Sequence, residues 1–588
     1  MSKAVVKKVS DYVIVGAGSA GSVLANRLTK NGKNSVTLLE AGKSDVGRWD
    51  SWTIQMPAAL TYSVADKRYN WDYHTVPQRG LNNRRLHQPR GKVLGGSSSI
   101  NAMVYVRGHG KDFDRWETEG TKGWSYRNCL PYFKRAQGYI FKESNEPDND
   151  SDNPYRGYDG PLKVTSYLKN RQNILFDVFE KSGEEAGYAV CKDLNGHRQE
   201  GFGPFDMTVD ANTGKRCSAA EAYLRPALKE VSKEKLDVKT STLVRKIIFD
   251  EDSLIGDNTP RAIGVECEDL QSGEIFEVHA DKEVLVCLGA VGSPQLLMLS
   301  GIGDSEKLEK VGIKERVVHN TEVGRNLQDH LEVYLQYLCT KPVSLYPIAQ
   351  WSLRYFPQRV AVGLEWFLRG TGICSSNLFE TGAFIRSDAG VEHPDIQYHF
   401  IPGCVVGQLD FLPQHGFQIH VGTLRPTSRG ELTLKSSDPK ESPNIDPNFL
   451  STEEDISDMR KAVRLADELV QQPVFAAYKG ERFSPSPSAS LGEDEVIDEW
   501  VRSSSHSAYH LSCTCAMGKV VDENGSVYGV SGLRVVDASI MPSMTSGNLN
   551  APTIMLAEKI SDHINGMNPL PESSLEYFTP DNWKSSQR

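Results

Sequence analysis

The sequence predicts a mixed α/β protein with more than one domain, and three observations support this class. Its 588 residues exceed what a single hydrophobic core usually supports. Residues 12–40 run through a strand, a glycine-rich turn, a helix and a second strand, a βαβ beginning. Strand and helix patterns alternate along the rest of the chain without a solenoid or propeller repeat.

The individual elements follow from short hydrophobic patterns. Apolar runs rich in β-branched residues predict strands at 12–15, 35–39, 244–249, 261–268, 283–287 and 533–537. Apolar residues at helical spacing predict helices at 19–28, 174–186, 452–471 and 551–564. Thr452 suits the start of the third helix, and Pro552 suits the first turn of the fourth.

Composition narrows the functional classes. The net charge is −10 without a basic stripe, which argues against nucleic-acid binding. The most apolar window, 284–303, is broken by glycines and a proline, so a buried strand, turn and helix are expected there rather than a membrane span. The N-terminus lacks a long apolar segment, so neither a secretory signal nor a clear transit peptide is expected. Ten scattered cysteines favour a reducing compartment.

The first turn carries a candidate nucleotide site. Gly16, Gly18 and Gly21 form a G-x-G-x-x-G motif between a strand and a helix, and Glu40 ends the next strand. Gly16 permits the tight turn, Gly18 lets the backbone approach a pyrophosphate, and Gly21 lets the helix pack against the sheet. A carboxylate at Glu40 can accept hydrogen bonds from a ribose. The motif alone leaves NAD and FAD open.

Three longer stretches carry a family resemblance. They are RGKVLGGSSSINAMVYVRG at 90–108, GAVGSPQLLMLSGIG at 289–303 and LRVVDASIMPSMTSGNLNAPTIML at 533–556. With the glycine turn and YHLSCT at 509–514, they resemble the glucose–methanol–choline (GMC) oxidoreductase family in order and over nearly the whole chain. The resemblance implies a Rossmann-like FAD-binding domain built from discontinuous segments, and a substrate-binding domain with an antiparallel sheet and helices.

The resemblance also implies domain limits and cofactor contacts. The FAD domain is expected at 1–165, 235–335 and 505–566, the substrate domain at 166–234 and 336–504, and a tail at 567–588. The expected FAD contacts are Gly16, Gly18, Ser19, Ala20, Gly21, Glu40, Ala41, Arg90, Val93, Gly95, Gly96, Ser99, Asn101, Ala102, Met103, Val104, Val244, Asp537, Ala538, Pro552 and Thr553. Ile100 stands where some relatives attach the flavin through a histidine, so non-covalent FAD is predicted.

The family chemistry requires a base and a second polar group. Members oxidise an alcohol by moving hydride to flavin N5, and the hydroxyl proton leaves to a base while a donor steadies the developing alkoxide. The resemblance places this pair at His510 and Asn550. Because an amide cannot take the proton, His510 is predicted to be the base and Asn550 its hydrogen-bonding partner.

Choline-oxidising members of the family give the nearest match. The resemblance implies that Glu332 lies near a trimethylammonium group and that Tyr509 belongs to an aromatic cage around it. Oxidation of choline to betaine aldehyde is expected, and further oxidation to glycine betaine stays open. A different primary alcohol, a lyase reaction and an inactive flavin-binding protein are the alternatives. An ordinary salt bridge is the alternative for Glu332.

The remaining partners are less constrained by the sequence. Cys513-x-Cys515 lacks the spacing and the second ligand pair of a zinc site, so no metal is predicted and the sulfurs are interpreted as structural. Oxygen and a respiratory quinone both stay open as electron acceptor. The resemblance implies attachment to the mitochondrial inner membrane, and without it the cytoplasm is expected.

Overall fold

The computed structural model describes residues 5–141, 153–166, 171, 173–255, 259–349, 353–407 and 410–588. Two seven-stranded sheets organise these residues, together with helices that pack on them. The mixed α/β class predicted from the sequence is therefore confirmed. The polar stretch that follows residue 141 and the region around residue 351 lie largely outside the described residues.

The first sheet, here called the nucleotide sheet, combines strands from the N-terminal and C-terminal parts of the chain. Its strands lie in the order Leu236–Lys239, Val36–Leu39, Val5–Val15, Ile275–Val286, Ala262–Asp269 and Thr242–Phe249, with Leu533–Val535 also paired to Ile275–Val286. The pairs that contain Val5–Val15 and Val36–Leu39 are parallel, while the last two strands of the order are antiparallel. All six predicted strands lie in this sheet.

Three helices pack close to the nucleotide sheet. Ser19–Thr29 follows the glycine turn, Gly289–Leu299 follows the long central strand, and Asn550–Ile564 packs against Ser19–Thr29. Their buried residues join one hydrophobic cluster with the strands. The window at 284–303 is thus a strand, a turn and a helix, as predicted. No helix of the described residues is both long and apolar enough to cross a membrane.

The second sheet, here called the substrate sheet, is antiparallel. Its strands lie in the order Lys479–Ser484, Leu331–Cys339, Gly416–Thr423, Ile396–Ile401, Thr381–Ile385 and Gly201–Pro204, and His506–Ser507 also pairs with Leu331–Cys339. The helices Ile174–Glu185, Glu453–Val470 and Asp494–Ser504 share its hydrophobic cluster. The Thr452 hydroxyl accepts a hydrogen bond from the Asp455 N–H at 3.3 Å, which confirms the predicted cap.

Shorter elements connect the two sheets. Residues between them form a four-stranded sheet from Val104–Tyr105, Asp206–Met207, Leu162–Ser166 and Gln137–Phe141, and a two-stranded ribbon from Tyr73–His74 and His87–Gln88. Further helices lie at Trp52–Gln55, Leu60–Ala65, Gly110–Thr118, Tyr126–Ala136, Arg225–Glu230, Ser305–Lys310, Tyr346–Ala349 and Phe356–Arg369.

The domain limits stay predictions, and some elements cross them. The strand Leu331–Cys339 spans the limit predicted at 335/336, and His506–Ser507 joins the substrate sheet although it was expected in the FAD domain. The tail touches both halves of the chain. The Tyr577 hydroxyl donates to Asp114 at 2.5 Å, and Arg588 pairs with Glu468 at 2.8 Å.

Candidate active site

A cavity of about 1200 Å³ is lined by residues from both sheets. The nucleotide sheet contributes Val15 and Leu39, which end parallel strands, and the substrate sheet contributes Glu332, His399 and His420. Ligands of open α/β sheets bind at the carboxyl ends of the strands. The cavity is larger than the usual small-molecule pocket of up to about 1,000 Å³, so it can hold a long cofactor and a second ligand.

The glycine turn has the shape that the motif predicted. Gly16 has a φ of +99°, and a Cβ there would lie 2.6 Å from the Cys287 carbonyl oxygen. A Cβ at Gly21 would lie 1.9 Å from the Gly16 carbonyl oxygen, so Gly21 is required for helix packing. A Cβ at Gly18 would meet nothing closer than 3.9 Å, because this residue borders the cavity.

Glu40 binds the backbone of this turn. Its carboxylate accepts the Ala17 N–H at 3.0 Å and the Gly42 N–H at 2.8 Å, and it lines the cavity. Burial raises the pKa of Glu40 to about 7, although the two N–H groups oppose the shift. Glu40 directly follows the second strand of the βαβ unit, a position at which an acidic residue can bind a ribose.

Three helices begin at the cavity. Ser19, Gly289 and Asn550 are the first residues of their helices and all three line it. The Ser19 hydroxyl donates to the Asn550 side-chain oxygen at 2.7 Å, which ties two of these helix starts together. Helix N-termini carry partial positive charge and free N–H groups. This end of the cavity therefore suits a pyrophosphate.

The predicted cofactor contacts divide into two groups. Sixteen of them line the cavity: Gly16, Gly18, Ser19, Ala20, Glu40, Ala41, Arg90, Gly96, Asn101, Ala102, Met103, Val104, Val244, Asp537, Ala538 and Thr553. The other five, Gly21, Val93, Gly95, Ser99 and Pro552, are not part of this lining, and their contact with the cofactor stays a prediction.

Local contacts of these five residues shape the backbone around the cavity. Val93 belongs to a small buried apolar cluster, Gly95 takes a left-handed turn with a φ of +87°, and the Ser99 hydroxyl donates to the Leu94 carbonyl at 2.7 Å. Pro552 is buried in the first turn of its helix. They shape the loops that carry the cavity-lining residues.

His510 lies at the other end of the cavity with a defined tautomer. The His330 Nε2 lies 3.0 Å from the Leu424 carbonyl oxygen, which can only accept, so this nitrogen carries hydrogen. The His330 Nδ1 of a neutral ring must then accept, and it lies 3.0 Å from the His510 Nδ1. His510 therefore donates through Nδ1 and keeps an unprotonated Nε2, which can accept a proton.

Asn548, and not the predicted Asn550, is the amide that lies beside this nitrogen. The Asn548 Nδ2 lies 3.2 Å from the His510 Nε2, whereas the Asn550 side chain accepts from Ser19. The sequence NLN offers two asparagines, and the helix that begins at Asn550 turns the second one toward the nucleotide end. An alkoxide near the His510 Nε2 is within reach of the Asn548 amide.

Burial keeps the histidines of this region uncharged. Burial lowers the pKa of His510 well below its usual range, and the neighbouring His330 and His399 add to the effect. Burial likewise lowers the pKa of His330 to about 4. The Asp329 carboxylate accepts the His510 backbone N–H at 2.8 Å and holds the strained loop in which Tyr509 has a φ of +65°.

Glu332 is a buried carboxylate that contacts His420. Val405 N–H and the Gln336 amide both donate to the Gln418 Oε1, at 2.7 and 2.8 Å, so the Gln418 amide nitrogen must donate to the His420 Nε2. His420 is therefore neutral and donates through Nδ1 to Glu332 at 3.0 Å.

The charge of Glu332 is retained in this setting. Burial raises the pKa of Glu332, but the His420 and His399 rings and the Tyr334 hydroxyl outweigh it, so the pKa lies below its usual value. Among the described residues, the Glu332 carboxylate has no lysine or arginine partner.

Aromatic rings surround this charge. Tyr334 packs on His420 with ring centres 4.0 Å apart, and Phe379 meets His420 edge-on at 5.6 Å. Both rings line the cavity together with Glu332 and Tyr509, which the sequence predicted for the substrate site. A carboxylate framed by aromatic faces is suited to an organic cation.

Family comparisons agree with this geometry. GMC oxidoreductase models match residues 10–332 with the N-terminal part and residues 426–557 with the C-terminal part. The chain belongs to the GMC oxidoreductase family. It is 48% identical over 580 residues to the mitochondrial choline dehydrogenase of Homo sapiens, covering 97% of this chain and 92% of the relative. It is 46% identical to the oxygen-dependent choline dehydrogenase of Photobacterium profundum, covering 98% and 97%.

Solved structures of GMC-like enzymes share the fold. A formate oxidase of Aspergillus oryzae superimposes with a TM-score of 0.85 at 26% identity, covering 96% of this chain and 99% of that chain. A pyridoxine 4-oxidase from Mesorbium loti gives a TM-score of 0.80 at 27% identity, covering 95% and 99%. That formate oxidase contains FAD, which undergoes modification.

The donor set of this GMC oxidoreductase fits FAD. Arg90 lines the cavity, and its Nη2 is buried without a hydrogen-bond partner among the described residues. Its Nη1 donates to the Tyr509 carbonyl at 2.8 Å. A Cβ at Gly96 would lie 2.7 Å from the Gly18 Cα, so the two loops leave no room for side chains where they meet. A buried cation, narrow backbone walls and three helix starts suit a flat ring joined to a pyrophosphate.

Sequence reasoning missed four residues of this GMC site: His330, Tyr334, His399 and Asn548. His330 and Tyr334 flank Glu332 at two-residue spacing, which on a strand places all three on one face. This signal was available in the stretch HLEVY, whereas the contact between His399 and its neighbours depends on pairing of distant strands.

The two cysteines beside His510 lie away from the cavity. Cys513 and Cys515 are fully buried, their thiols are free, and they belong to the core of the nucleotide sheet. Burial raises the pKa of Cys513 to about 12. Their role is packing.

Proposed function

We propose that this protein oxidises choline to betaine aldehyde with FAD as cofactor. The observation that carries the proposal is the uncompensated carboxylate of Glu332, buried among aromatic rings in the cavity that contains neutral His510. Relatives named choline dehydrogenase match the chain at 45–48% identity over nearly its full length. Their activity supports the proposal.

Recognition of the substrate in this proposal depends on charge and on ring faces. A quaternary ammonium group cannot donate a hydrogen bond, so it needs a negative charge and π-faces. Glu332 supplies the charge, and Tyr334, Phe379 and Tyr509 supply the rings. Because His420 is neutral, the binding of one cation balances the charge of Glu332.

Proton removal is assigned to His510. Bound FAD would supply the centre that accepts hydride from the carbinol carbon. His510 takes the hydroxyl proton on Nε2, and Asn548 donates to the oxygen as negative charge develops. His330 holds the other proton on the His510 Nδ1, so that Nε2 stays the base before each turnover. Hydride and proton together account for the oxidation of the alcohol to the aldehyde.

Attachment of the cofactor is proposed to be non-covalent. Ile100 lines the cavity, and its hydrocarbon side chain has no atom that can bond a flavin. Binding then rests on Glu40, Arg90 and the helix starts at Ser19 and Asn550. Denaturation in acid should release all flavin into the supernatant, and flavin that stays with the polypeptide would contradict this.

The substrate is tested by anaerobic reduction with a matched pair of alcohols. Choline and 3,3-dimethylbutan-1-ol have the same shape, but the second has a neutral carbon in place of nitrogen. Choline should bleach the flavin absorbance at much lower concentration than its neutral analogue. Equal apparent affinities, or reduction only by other alcohols from a panel, would refute choline as substrate.

A variant of Glu332 makes this test specific. Glu332→Gln removes the charge and keeps the shape, so KM for choline should rise about 10- to 150-fold, as expected for a buried charged interaction. KM for the neutral analogue should change little. Glu431→Gln is the matched control, since this carboxylate is partly exposed and pairs with Lys307 on the surface. Equal losses for both alcohols in Glu332→Gln would refute the role of the carboxylate.

The electron acceptor is proposed to be a lipid-soluble quinone reached at a membrane surface. The helix Phe356–Arg369 exposes Phe356, Val360, Leu364, Phe367 and Leu368 along one side. Leu353 just before it is 81% exposed. These exposed apolar side chains form a continuous stripe rather than isolated surface residues. Their spacing is that of an amphipathic helix that lies in a membrane interface.

Charge and position favour a membrane as the partner of this helix. Arg354, Arg359 and Arg369 lie in or beside it and would attract anionic lipids. Arg359 and Phe367 also line the cavity, so the apolar stripe borders its mouth. A quinone could therefore pass from the lipid to the cavity. A mitochondrial membrane and a bacterial membrane are both consistent with this arrangement, since the relatives include mitochondrial and bacterial proteins.

Vesicle flotation tests the surface. The FAD-loaded protein should float with vesicles that contain anionic lipids and much less with neutral ones, and Leu364→Glu with Leu368→Glu should abolish flotation. Leu254→Glu, at another exposed leucine, is the control. The reduced enzyme should be reoxidised faster by a short-chain quinone than by oxygen. Flotation that survives the double variant, or faster reoxidation by oxygen, would refute this part of the proposal.

A further inference from the structure

A second cluster of chemically active side chains lies outside the cavity. Asp72, His74 and His87 each offer one ligand atom, and the three atoms lie within 4.8 Å of one another. His74 and His87 face each other across the two-stranded ribbon Tyr73–His74 and His87–Gln88, and Asp72 directly precedes the first strand. Cross-strand pairing thus fixes the two imidazoles side by side, with ring centres 5.0 Å apart.

The hydrogen-bonding of the cluster is incomplete. The His87 Nε2 lies 2.9 Å from an Asp72 carboxylate oxygen. This buried nitrogen nevertheless has no hydrogen-bond partner among the described residues, because the atoms are close but not aligned for a hydrogen bond. The Asp72 oxygen and the His87 Nε2 thus lie close together without a hydrogen bond between them, as two ligand atoms do around a shared metal ion.

His74 has the outer contact that metal-binding histidines usually have. Its Nδ1 lies 3.1 Å from the backbone carbonyl oxygen of Asp72, which can only accept. The Nδ1 therefore carries the proton, and the Nε2 keeps its lone pair. A ligating histidine commonly donates its other N–H to a carbonyl in this way, which fixes the ring and its tautomer.

We propose that Asp72, His74 and His87 bind one divalent transition-metal ion of the zinc type. Two imidazoles and one carboxylate favour Zn²⁺, Ni²⁺ or Cu²⁺ over Mg²⁺ and Ca²⁺, which prefer oxygen ligands. Three protein ligands at a partly exposed position leave the fourth to water. The proposal does not depend on the substrate of the enzyme.

Lys67 is the resident competitor at this site. Its ammonium lies 2.8 Å from the second Asp72 oxygen, and its side chain is 81% exposed. Such an exposed ion pair is weak, so a dication can displace it easily. Removing Lys67 should therefore tighten metal binding, while a purely structural role of the cluster gives no reason for any gain.

The site touches the outer side of the cavity wall. The His87 ring meets Tyr509 edge-on at 6.5 Å, and Tyr73, between Asp72 and His74, lines the cavity. Gln88, the neighbour of His87, donates to Asp329 at 3.1 Å. A bound ion would join the two strands of the ribbon directly behind these residues.

Isothermal titration of the FAD-loaded protein with ZnCl₂ tests the proposal. After treatment with a chelator, the protein should bind one Zn²⁺ per chain saturably, and MgCl₂ should give no such signal. His74→Gln and Asp72→Asn should each weaken binding at least about tenfold. His319→Gln, at an exposed histidine elsewhere, is the matched control. Lys67→Met should tighten binding about two- to fivefold.

Two further measurements keep the outcome decisive. The flavin spectrum and the unfolding temperature without metal should match wild type in each variant, which shows that the fold is intact. Zinc should raise the unfolding temperature of wild type and of His319→Gln but not of His74→Gln. The absence of saturable binding, or equal binding in wild type and the His74→Gln and Asp72→Asn variants, would overturn the proposal.

Discussion

Two asparagines separated by one residue provide the sharpest test of the active-site geometry. Asn548 lies 3.2 Å from the unprotonated nitrogen of His510, whereas Asn550 binds the Ser19 hydroxyl at the nucleotide end. Replacing each in turn by alanine therefore perturbs two different steps. Asn548→Ala should slow the chemical step, and Asn550→Ala should weaken cofactor binding.

The magnitude follows from the contacts. In the transition state Asn548 donates to an oxygen that is becoming negative, and hydrogen bonds to charged groups are worth about 1.5–3 kcal/mol. Since about 1.4 kcal/mol corresponds to a factor of ten, flavin reduction should slow about 10- to 150-fold in Asn548→Ala. Asn550→Ala loses a neutral hydrogen bond of about 0.5–1.5 kcal/mol, so its dissociation constant for FAD should rise by about 2- to 12-fold.

Stopped-flow reduction by choline without oxygen separates these effects. Each variant is first saturated with FAD, and the limiting rate of loss of flavin absorbance is compared with wild type. FAD affinity is measured separately by quenching of flavin fluorescence on titration of the apoprotein. A limiting rate that falls further in fully loaded Asn550→Ala than in Asn548→Ala would refute the assignment.

Three other expectations address tautomer, charge and packing. His330→Phe removes the acceptor that orients the His510 Nδ1 proton, so kcat should fall about 5- to 150-fold. Recovery toward the wild-type kcat in His330→Asn would support this role, and an unchanged kcat in His330→Phe would contradict it. Because the pKa of Glu332 lies below its usual value, this carboxylate loses its charge only when the pH falls through the lowered pKa. KM for choline should therefore stay constant from about pH 8 to 5. A rise of KM near pH 6 that disappears in Glu332→Gln would contradict a lowered pKa. Gly21→Ala places a Cβ 1.9 Å from a carbonyl oxygen and should lower the free energy of unfolding by more than about 3 kcal/mol, measured by thermal unfolding. The control Gly363→Ala, with open space around its Cβ, should change this free energy by less than about 1 kcal/mol.

Local patterns were sufficient for most elements of the nucleotide sheet, although its strand Leu236–Lys239 was not predicted. The strand predicted at 12–15 is the end of Val5–Val15, and the helix predicted at 19–28 matches Ser19–Thr29, because an apolar run and a helical apolar face flank one glycine turn. The predicted helix at 452–471 matches Glu453–Val470 because its cap and its apolar spacing agree. Such signals are contained within about twenty residues, so no tertiary information is required.

The orientation of single side chains was beyond the reach of these patterns. Asn548 and Asn550 have the same chemistry and neighbouring positions, and only the point at which the last helix begins decides which one meets His510. Helix boundaries are the least certain part of a sequence-based assignment. Family resemblance identified the loop but not the residue.

The charge of the substrate site depended on distant pairings. Glu332 was identified from its local motif, but the neutrality of His420 follows from Gln418, Gln336 and the Val405 backbone together. These groups meet because Leu331–Cys339 and Gly416–Thr423 pair in one register. A shift of one residue would turn them to opposite faces of the sheet.

The sheet that holds the cofactor end is completed by the last strand of the chain to be synthesised. Leu533–Val535 pairs with Ile275–Val286, and the helix Asn550–Ile564 packs on Ser19–Thr29. During translation the ribosome must therefore release almost the entire polypeptide before the first βαβ unit gains its final neighbours. Contacts of such long sequence separation form slowly. The nascent chain should consequently need protection from aggregation until its C-terminus emerges, and its ability to capture flavin should appear abruptly at that moment.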